Sequence, residues 1–420
     1  MRFYREHLKQ GVVCNYGITD QFKSSYISVD IILPLTVENA TGMTLLSGVL
    51  SRGCKTYPQM DKISHFLAKN YGASLMINAS KAGEMELLTV ALRYLNNAYA
   101  IDGENIRENM ISFLKELLFA PLVEEGGFFK DYVEQEKSNH ADKIKGLFND
   151  KRLYSLERCK ELMCEGEPFG ISEMGSLEQL DSITPQSLYA FYLKMMNEAF
   201  VTLSYVGADE GQILTDLAGA FAARDASVPL AIEGKKQDRV REIVDPMNLN
   251  QSKLNLGFRL GAAARENGAA CRLFNVLYGG SANSKLFMNV RERLSLCYYC
   301  SSNIDRFKNV MFVSSGVEAE KYELARKEIL AQLDAVKNGD FTDEEFESAK
   351  NYLVDSVRGT LDNKGAISAS MTANTLRGEE KTPAQDIEET LAVRREDVVA
   401  VAAGVTLDTV YFLKGVQSEE

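Results

Sequence analysis

The feature that most constrains this chain is that its pattern runs twice. A strand-like run, YISVDIILPL at 26–35, leads into a helical segment, and SKLNLGFRL at 252–260 does the same in the second half. VLSRG at 49–53 is matched by VLYGG at 276–280, EQEKSNHADKI at 134–144 by ESAKNYLVDSV at 347–357, and the closing run FVTLSYVG at 200–207 by VYFLKG at 410–415. A repeat this long is a whole packing unit used twice, so each copy must bury its own apolar faces. At 420 residues the chain also exceeds what a single core organises. The expected fold class is α+β, a tandem duplication of two similar α+β halves, each a mixed, largely antiparallel sheet with helices packed on one face. The halves are expected at 1–225 and 247–420, joined by a polar, weakly periodic linker at 226–246.

Local patterning fills in the copies. Alternation predicts strands at 26–35, 73–80, 85–95 and 200–207, with a hairpin turn at Lys81-Ala82-Gly83. Helical spacing predicts a helix capped by Thr41 and stopped by Gly53, then helices at 58–70, 105–119, 128–149 and 153–164. Thr184 is expected to cap a helix with Pro185 in its first turn. In the second half, helices are expected at 270–278 and 284–294 and strands at 296–304 and 310–317.

A net charge of −12 disfavours nucleic acid, whose affinity comes from clustered Lys and Arg. No apolar run reaches membrane-spanning length and the N-terminus lacks a signal-peptide pattern, so no membrane association and a cytoplasmic location are expected. Seven cysteines at irregular positions suit a reducing compartment and buried thiols.

Histidine is scarce: only His7, His65 and His140 occur, none near another, so no helix-borne zinc peptidase motif can be assembled. His65, among apolar neighbours, reads as a packed or surface residue. An independent enzyme with a Ser or Cys nucleophile would need one of these histidines beside it. Cys297 and Cys300 form a CxxC, but on a strand residues three apart point to opposite faces, so the thiols are expected to diverge and carry no metal or redox role. Arg291 and Tyr298 differ in kind. Leu286, Phe287, Val290 and Leu294 supply the apolar face of their helix, leaving Arg291 unneeded for packing. A guanidinium donating two hydrogen bonds beside a phenol donating a third suits an oxyanion or a peptide carbonyl. The plain alternative is a surface arginine and a core tyrosine, and spacing alone leaves both open.

LYGGSANSKLFMNVRERLSLCYYCSS at 277–302, together with the repeat, resembles the insulinase and mitochondrial-processing-peptidase family, the inverted-zincin peptidases of the pitrilysin clan. The resemblance runs through both halves. It implies that Arg291 and Tyr298 are the family's Arg/Tyr pair, which holds substrate backbone near the zinc. The first half departs from the family: where it carries His-x-x-Glu-His, this chain has Thr44, Leu45, Leu46, Ser47 and Gly48, and Glu134 falls near the third zinc ligand. The resemblance therefore implies a chain with no metal or other cofactor of its own and not catalytic alone. It would be the non-catalytic, substrate-binding subunit of a bacterial two-component zinc peptidase acting on peptides or unfolded polypeptide. Its partner would be a homologous zinc-bearing subunit, with a homodimer possible in the partner's absence. The alternative is a peptide-binding or scaffold protein of the same fold with no role in proteolysis.

Overall fold

The computed structural model describes residues 1–209, 213–228, 234 and 239–416. They form two compact units, neither of them one continuous stretch of chain. The first is Met1–Lys145, Ile171–Leu230 and Thr360–Glu380; the second is Gly146–Gly170, Ala231–Gly359 and Lys381–Glu420.

The first half of the chain opens with a hairpin, β1 (Arg2–Lys9) and β2 (Val12–Ile18), followed by β3 (Ser24–Pro34), α1 (Val37–Arg52), α2 (Met60–Lys69), β4 (Ser74–Ala82), β5 (Met85–Leu95) and α3 (Ile106–Phe119). A small ribbon, β6 (Val123–Glu124) and β7 (Gly127–Phe128), leads to α4 (Lys130–Gly146), α5 (Lys151–Met163), α6 (Leu177–Ser182), α7 (Pro185–Glu198), β8 (Phe200–Gly207) and α8 (Thr215–Ala220). The sheet of the first unit runs β1-β2-β8-β3-β5-β4. Only β2 and β8 are parallel. Alternation sends Val29, Ile31, Leu88, Val90 and Leu203 to one face, where Met43, Leu45 and Leu46 of α1 and Phe113 and Leu117 of α3 close the core.

The helix expected to be capped by Thr41 starts earlier. Thr36 is extended and its hydroxyl accepts from Asn39 N at 3.1 Å, which makes it the cap. Thr41 lies a turn inside, buried, donating to Val37 O at 2.7 Å. Thr184 caps α7 as expected, with Ser187 completing a capping box.

The second half runs β9 (Arg241–Asn248), β10 (Ser252–Arg259), α9 (Ala262–Glu266) and α10 (Gly268–Asn275), the last prolonged by a π-helical turn at Val276–Gly280. After a second π-helical segment, Leu286–Arg293, come β11 (Cys297–Asp305), β12 (Val310–Val317), α11 (Tyr322–Lys337), α12 (Asp343–Thr360), α13 (Lys364–Leu376), α14 (Pro383–Ala392), α15 (Arg395–Ala403) and β13 (Thr406–Val416). The second sheet runs β11-β12-β10-β13-β9, with β13 and β9 parallel and the other pairs antiparallel. Strand for strand this is the order β4-β5-β3-β8-β2 of the first unit, so the duplication is present in topology as well as sequence.

Part of the expected linker is structure: residues 241–246 belong to β9. Their charges disguised a strand that only an edge position tolerates, and Pro246 also fits an edge. Residues 229–233 and 235–238 of that stretch lie outside the described residues.

Each sheet also carries one helix on its second face, and that helix comes from the other half of the sequence. In the first unit α13 lies on β2, β3 and β8 through hydroxyls: Ser368 pairs with Ser28 at 2.8 Å, Thr372 donates to Asp30 Oδ2 at 2.7 Å and Thr375 to Asn15 Oδ1 at 3.1 Å. In the second unit α5 lies on β10 and β13, burying Cys159 and Met163 against Phe312, Tyr411 and Leu413. There Ser155 Oγ accepts from Asn255 Nδ2 at 3.0 Å. Just beyond α5, Glu167 pairs with Arg259 at 2.7 Å and with the buried Lys308 at 2.7 Å, while Arg259 also reaches Asp408 at 3.1 Å. Opposite charges this deep hold only because each has partners. Among the described residues no helix is long and apolar enough to cross a membrane.

Candidate functional site

Arg291 and Tyr298 flank the junction where the π-helical segment gives way to β11. Leu294 N donates to Asn289 O at 3.2 Å and Leu296 N to Val290 O at 3.1 Å, closing the helix end. Ser295 takes φ +49°, the left-handed conformation that swings the chain into the strand. Arg291 is left on the surface, its side chain 40% exposed, stacked 4.5 Å over Phe287 and 3.5 Å from Glu292. Tyr298 is 63% exposed, a large value for an aromatic ring on a strand.

The exposure of Tyr298 has a backbone cause. β11 is the edge of its sheet, and along it Cys297 faces Val317, Tyr299 faces Gly316 and Cys300 faces Ser315. Three residues of β11 therefore oppose two of β12. Tyr298 is the extra one, in a β-bulge that turns it out of the ladder. Tyr299, next along, is instead held inward beneath the Arg152 guanidinium, 4.2 Å from its ring centre.

The bulge also overturns the expected divergence of the two thiols. Val317 and Ser315 are two apart on β12 and share a face, so Cys297 and Cys300, opposite them, share one too. Both belong to the same buried cluster. The Cys300 thiol beside it is the main reason the Cys297 thiol is pulled below its usual range, with Ser315 and the nearby Arg291 charge acting in the same direction. Cys300, fully enclosed, is pushed up by the neighbouring Cys297 thiol and by burial.

In the first unit the positions resembling a zinc motif lie on α1. Leu45 and Leu46 are core residues. The Thr44 hydroxyl donates to Glu173 O at 3.1 Å and the Ser47 hydroxyl to Thr44 O at 2.7 Å, so both are committed to backbone carbonyls. Gly48 has no side chain, and a Cβ there would overlap Glu136 Oε2. Glu136 in turn binds Arg52, whose Nε lies 2.6 Å from Oε1. The carboxylate that meets α1 is thus Glu136 and not Glu134, which is exposed on α4. Val133 and His140 mark the buried face of α4; Glu136 sits between them, and Glu134 is turned outward. That periodicity was available in the sequence and identifies Glu136.

These residues do not fit a zinc ion. Hydroxyls spent on carbonyls, a glycine and a carboxylate clamped by arginine supply no ligand set. Among the described residues no group of three or more His, Cys, Asp or Glu side chains is placed to hold a metal ion. His140 is buried with Nε2 at 2.8 Å from Met174 O, while His7 and His65 are exposed.

Comparison with known proteins agrees with this geometry. Residues 182–353 match the family described as "Peptidase M16 inactive domain". Over 412 residues, 97% of this chain and 96% of the other, the sequence is 31% identical to the Bacillus subtilis protein named probable inactive metalloprotease YmfF. A second B. subtilis protein, the uncharacterized zinc protease YmxG, is 24% identical over 236 residues, 56% of this chain and 58% of its own. The crystal structure of a conserved protein from Enterococcus faecalis superposes with a TM-score of 0.90 at 28% identity, covering all of both chains. With its duplicated halves and a first-half motif unable to hold metal, the chain belongs to the peptidase M16 family, that of insulinase and the mitochondrial processing peptidases, among its inactive members.

Proposed function

We propose that this protein is the non-catalytic, substrate-holding subunit of a cytoplasmic two-chain zinc peptidase, and that Arg291 and Tyr298 hold the backbone of a peptide or unfolded polypeptide. The observation that carries the reading is a contrast between the two halves. On α1 every former ligand position is filled by a committed or absent side chain, whereas at the start of β11 a guanidinium and a phenol stand exposed beside a sheet edge that no other described strand pairs. An edge strand accepts an extended peptide through main-chain hydrogen bonds, and the two side chains add donors for its carbonyls. The zinc and the general base would come from a homologous partner, and the partial similarity to a protein named as a zinc protease supports a partner of that type.

The test is co-purification with a zinc-bearing homologue from the same genome, followed by peptidase assays. The complex should cleave peptides and the isolated chain should not. Arg291→Ala should lower kcat/KM about 10-fold to 100-fold with the complex intact, the worth of a lost charge-assisted hydrogen bond of about 1.5–3 kcal/mol. Stoichiometric zinc and turnover in the isolated chain would overturn the reading. Unchanged turnover in Arg291→Ala would leave a scaffold of the same fold.

A further inference from the structure

We propose that Cys297 and Cys300 are a redox dithiol, oxidised by a hydroperoxide to an intrachain disulfide and returned to the thiols by a small dithiol reductant. The proposal stands on the bulge in β11. Without the extra residue the two side chains would lie on opposite faces of the sheet; with it they share one face and one buried cluster. They are also unequal in the way a dithiol requires. Cys297 is the more open, at 9% exposed against 3% for Cys300, and it lies beside the exposed Tyr298 within reach of the Arg291 charge. Its thiolate is favoured, while Cys300 stays protonated and enclosed. A favoured, reachable thiolate next to a buried resolving thiol is the arrangement that oxidises selectively. All seven cysteines are buried, and the thiols of Cys14, Cys54, Cys159, Cys164 and Cys271 are all pushed up by burial, whereas Cys297 is pulled down.

The chemistry balances with the peroxide as the only oxidant. The Cys297 thiolate attacks one peroxide oxygen, the O–O bond breaks, and the other oxygen leaves as alcohol after taking a proton, giving a sulfenic acid on Cys297. The Cys300 sulfur then displaces the hydroxyl from the Cys297 sulfur, and its proton leaves with that hydroxyl as water. Two thiols have lost two electrons and two protons, and the peroxide has become alcohol and water. The inference does not depend on the peptide-holding reading.

The experiment uses the whole chain. Treated with hydrogen peroxide and then blocked with an alkylating reagent, the wild-type protein should lose two of its seven thiols, and peptide mapping should recover 297 linked to 300. Dithiothreitol should restore both. Cys300→Ser should stop at the sulfenic acid, trapped by dimedone on Cys297, and Cys297→Ser should keep all six of its remaining thiols. Mapping of the wild-type protein decides the matter even if a variant fails to fold. Both cysteines remaining reduced at peroxide levels that oxidise a free thiol peptide, or linkage to other cysteines, would overturn the proposal.

Discussion

Glu86 has nowhere to put a charge. It lies near the start of β5, fully buried, and neither carboxylate oxygen has a hydrogen-bond partner. It shares the sheet face of Leu88 and Val90, the face α1 covers. Burial, reinforced by the Glu173 carboxylate and only partly offset by Lys81, raises its carboxyl from 4.5 to about 9. The linkage follows from proton counting. Between those two values the native state holds one proton more than the unfolded chain, so stability is fullest below about 4.5 and falls as pH rises toward 9. The slope approaches ~1.4 kcal/mol per pH unit inside that window. Glu86→Gln keeps the shape and removes the titration, so its urea midpoint should fall less between pH 6 and pH 8 than that of the wild-type protein. Parallel pH profiles for the two proteins would show that Glu86 is ionised in the fold.

Among the elements, α13 makes the sharpest prediction because it meets the first sheet through a row of hydroxyls at helical spacing. Asp30 is buried and raised by that burial, and its oxygens are satisfied by Thr89, Thr372 and Thr202 at 2.7, 2.7 and 3.2 Å. Thr372→Val preserves volume and removes one of these donors, so it should destabilise by about 1–3 kcal/mol, read as a lower urea midpoint at unchanged slope. An unchanged midpoint would mean that water or a neighbour replaces the lost donor. Elements of this kind were legible where one period dominated: FVTLSYVG is a strand over the same residues, and Thr184-Pro185 opens a helix as its chemistry demands. Legibility failed where the deciding term was not local. Two threonines five apart both fit a cap, and only the extended backbone at Thr36 separates them. The charges of 241–246 hid an edge strand. The fate of the CxxC turned on a single inserted residue, Tyr298, which no two-residue period can register.

At the scale of the whole molecule, the exchange of α5 and α13 ties the two halves of the sequence together during folding. The pattern of the chain allows a cut anywhere in the connection between the copies, yet neither copy contains all of its own unit. Residues 247–420 alone would leave Phe312, Tyr411 and Leu413 without the Cys159 and Met163 of α5. They would also strip Arg259 and the buried Lys308 of Glu167, and breaking a buried ion pair typically costs about 3–5 kcal/mol. Residues 1–225 alone would expose Asp30 and Ser28 on a sheet face whose covering helix is α13. Each fragment expressed singly should therefore be insoluble or should melt without a cooperative transition. Co-expressed, the two should recover a complex that co-elutes in gel filtration and unfolds in one transition, because each supplies the helix the other lacks. A cooperative unfolding transition from either fragment by itself would show that the exchanged helices are accessories. Recovery only on co-expression would separate the repeat as a unit of sequence from the unit that folds, since a duplication that swaps one helix each way cannot be returned to two independent domains by a single cut.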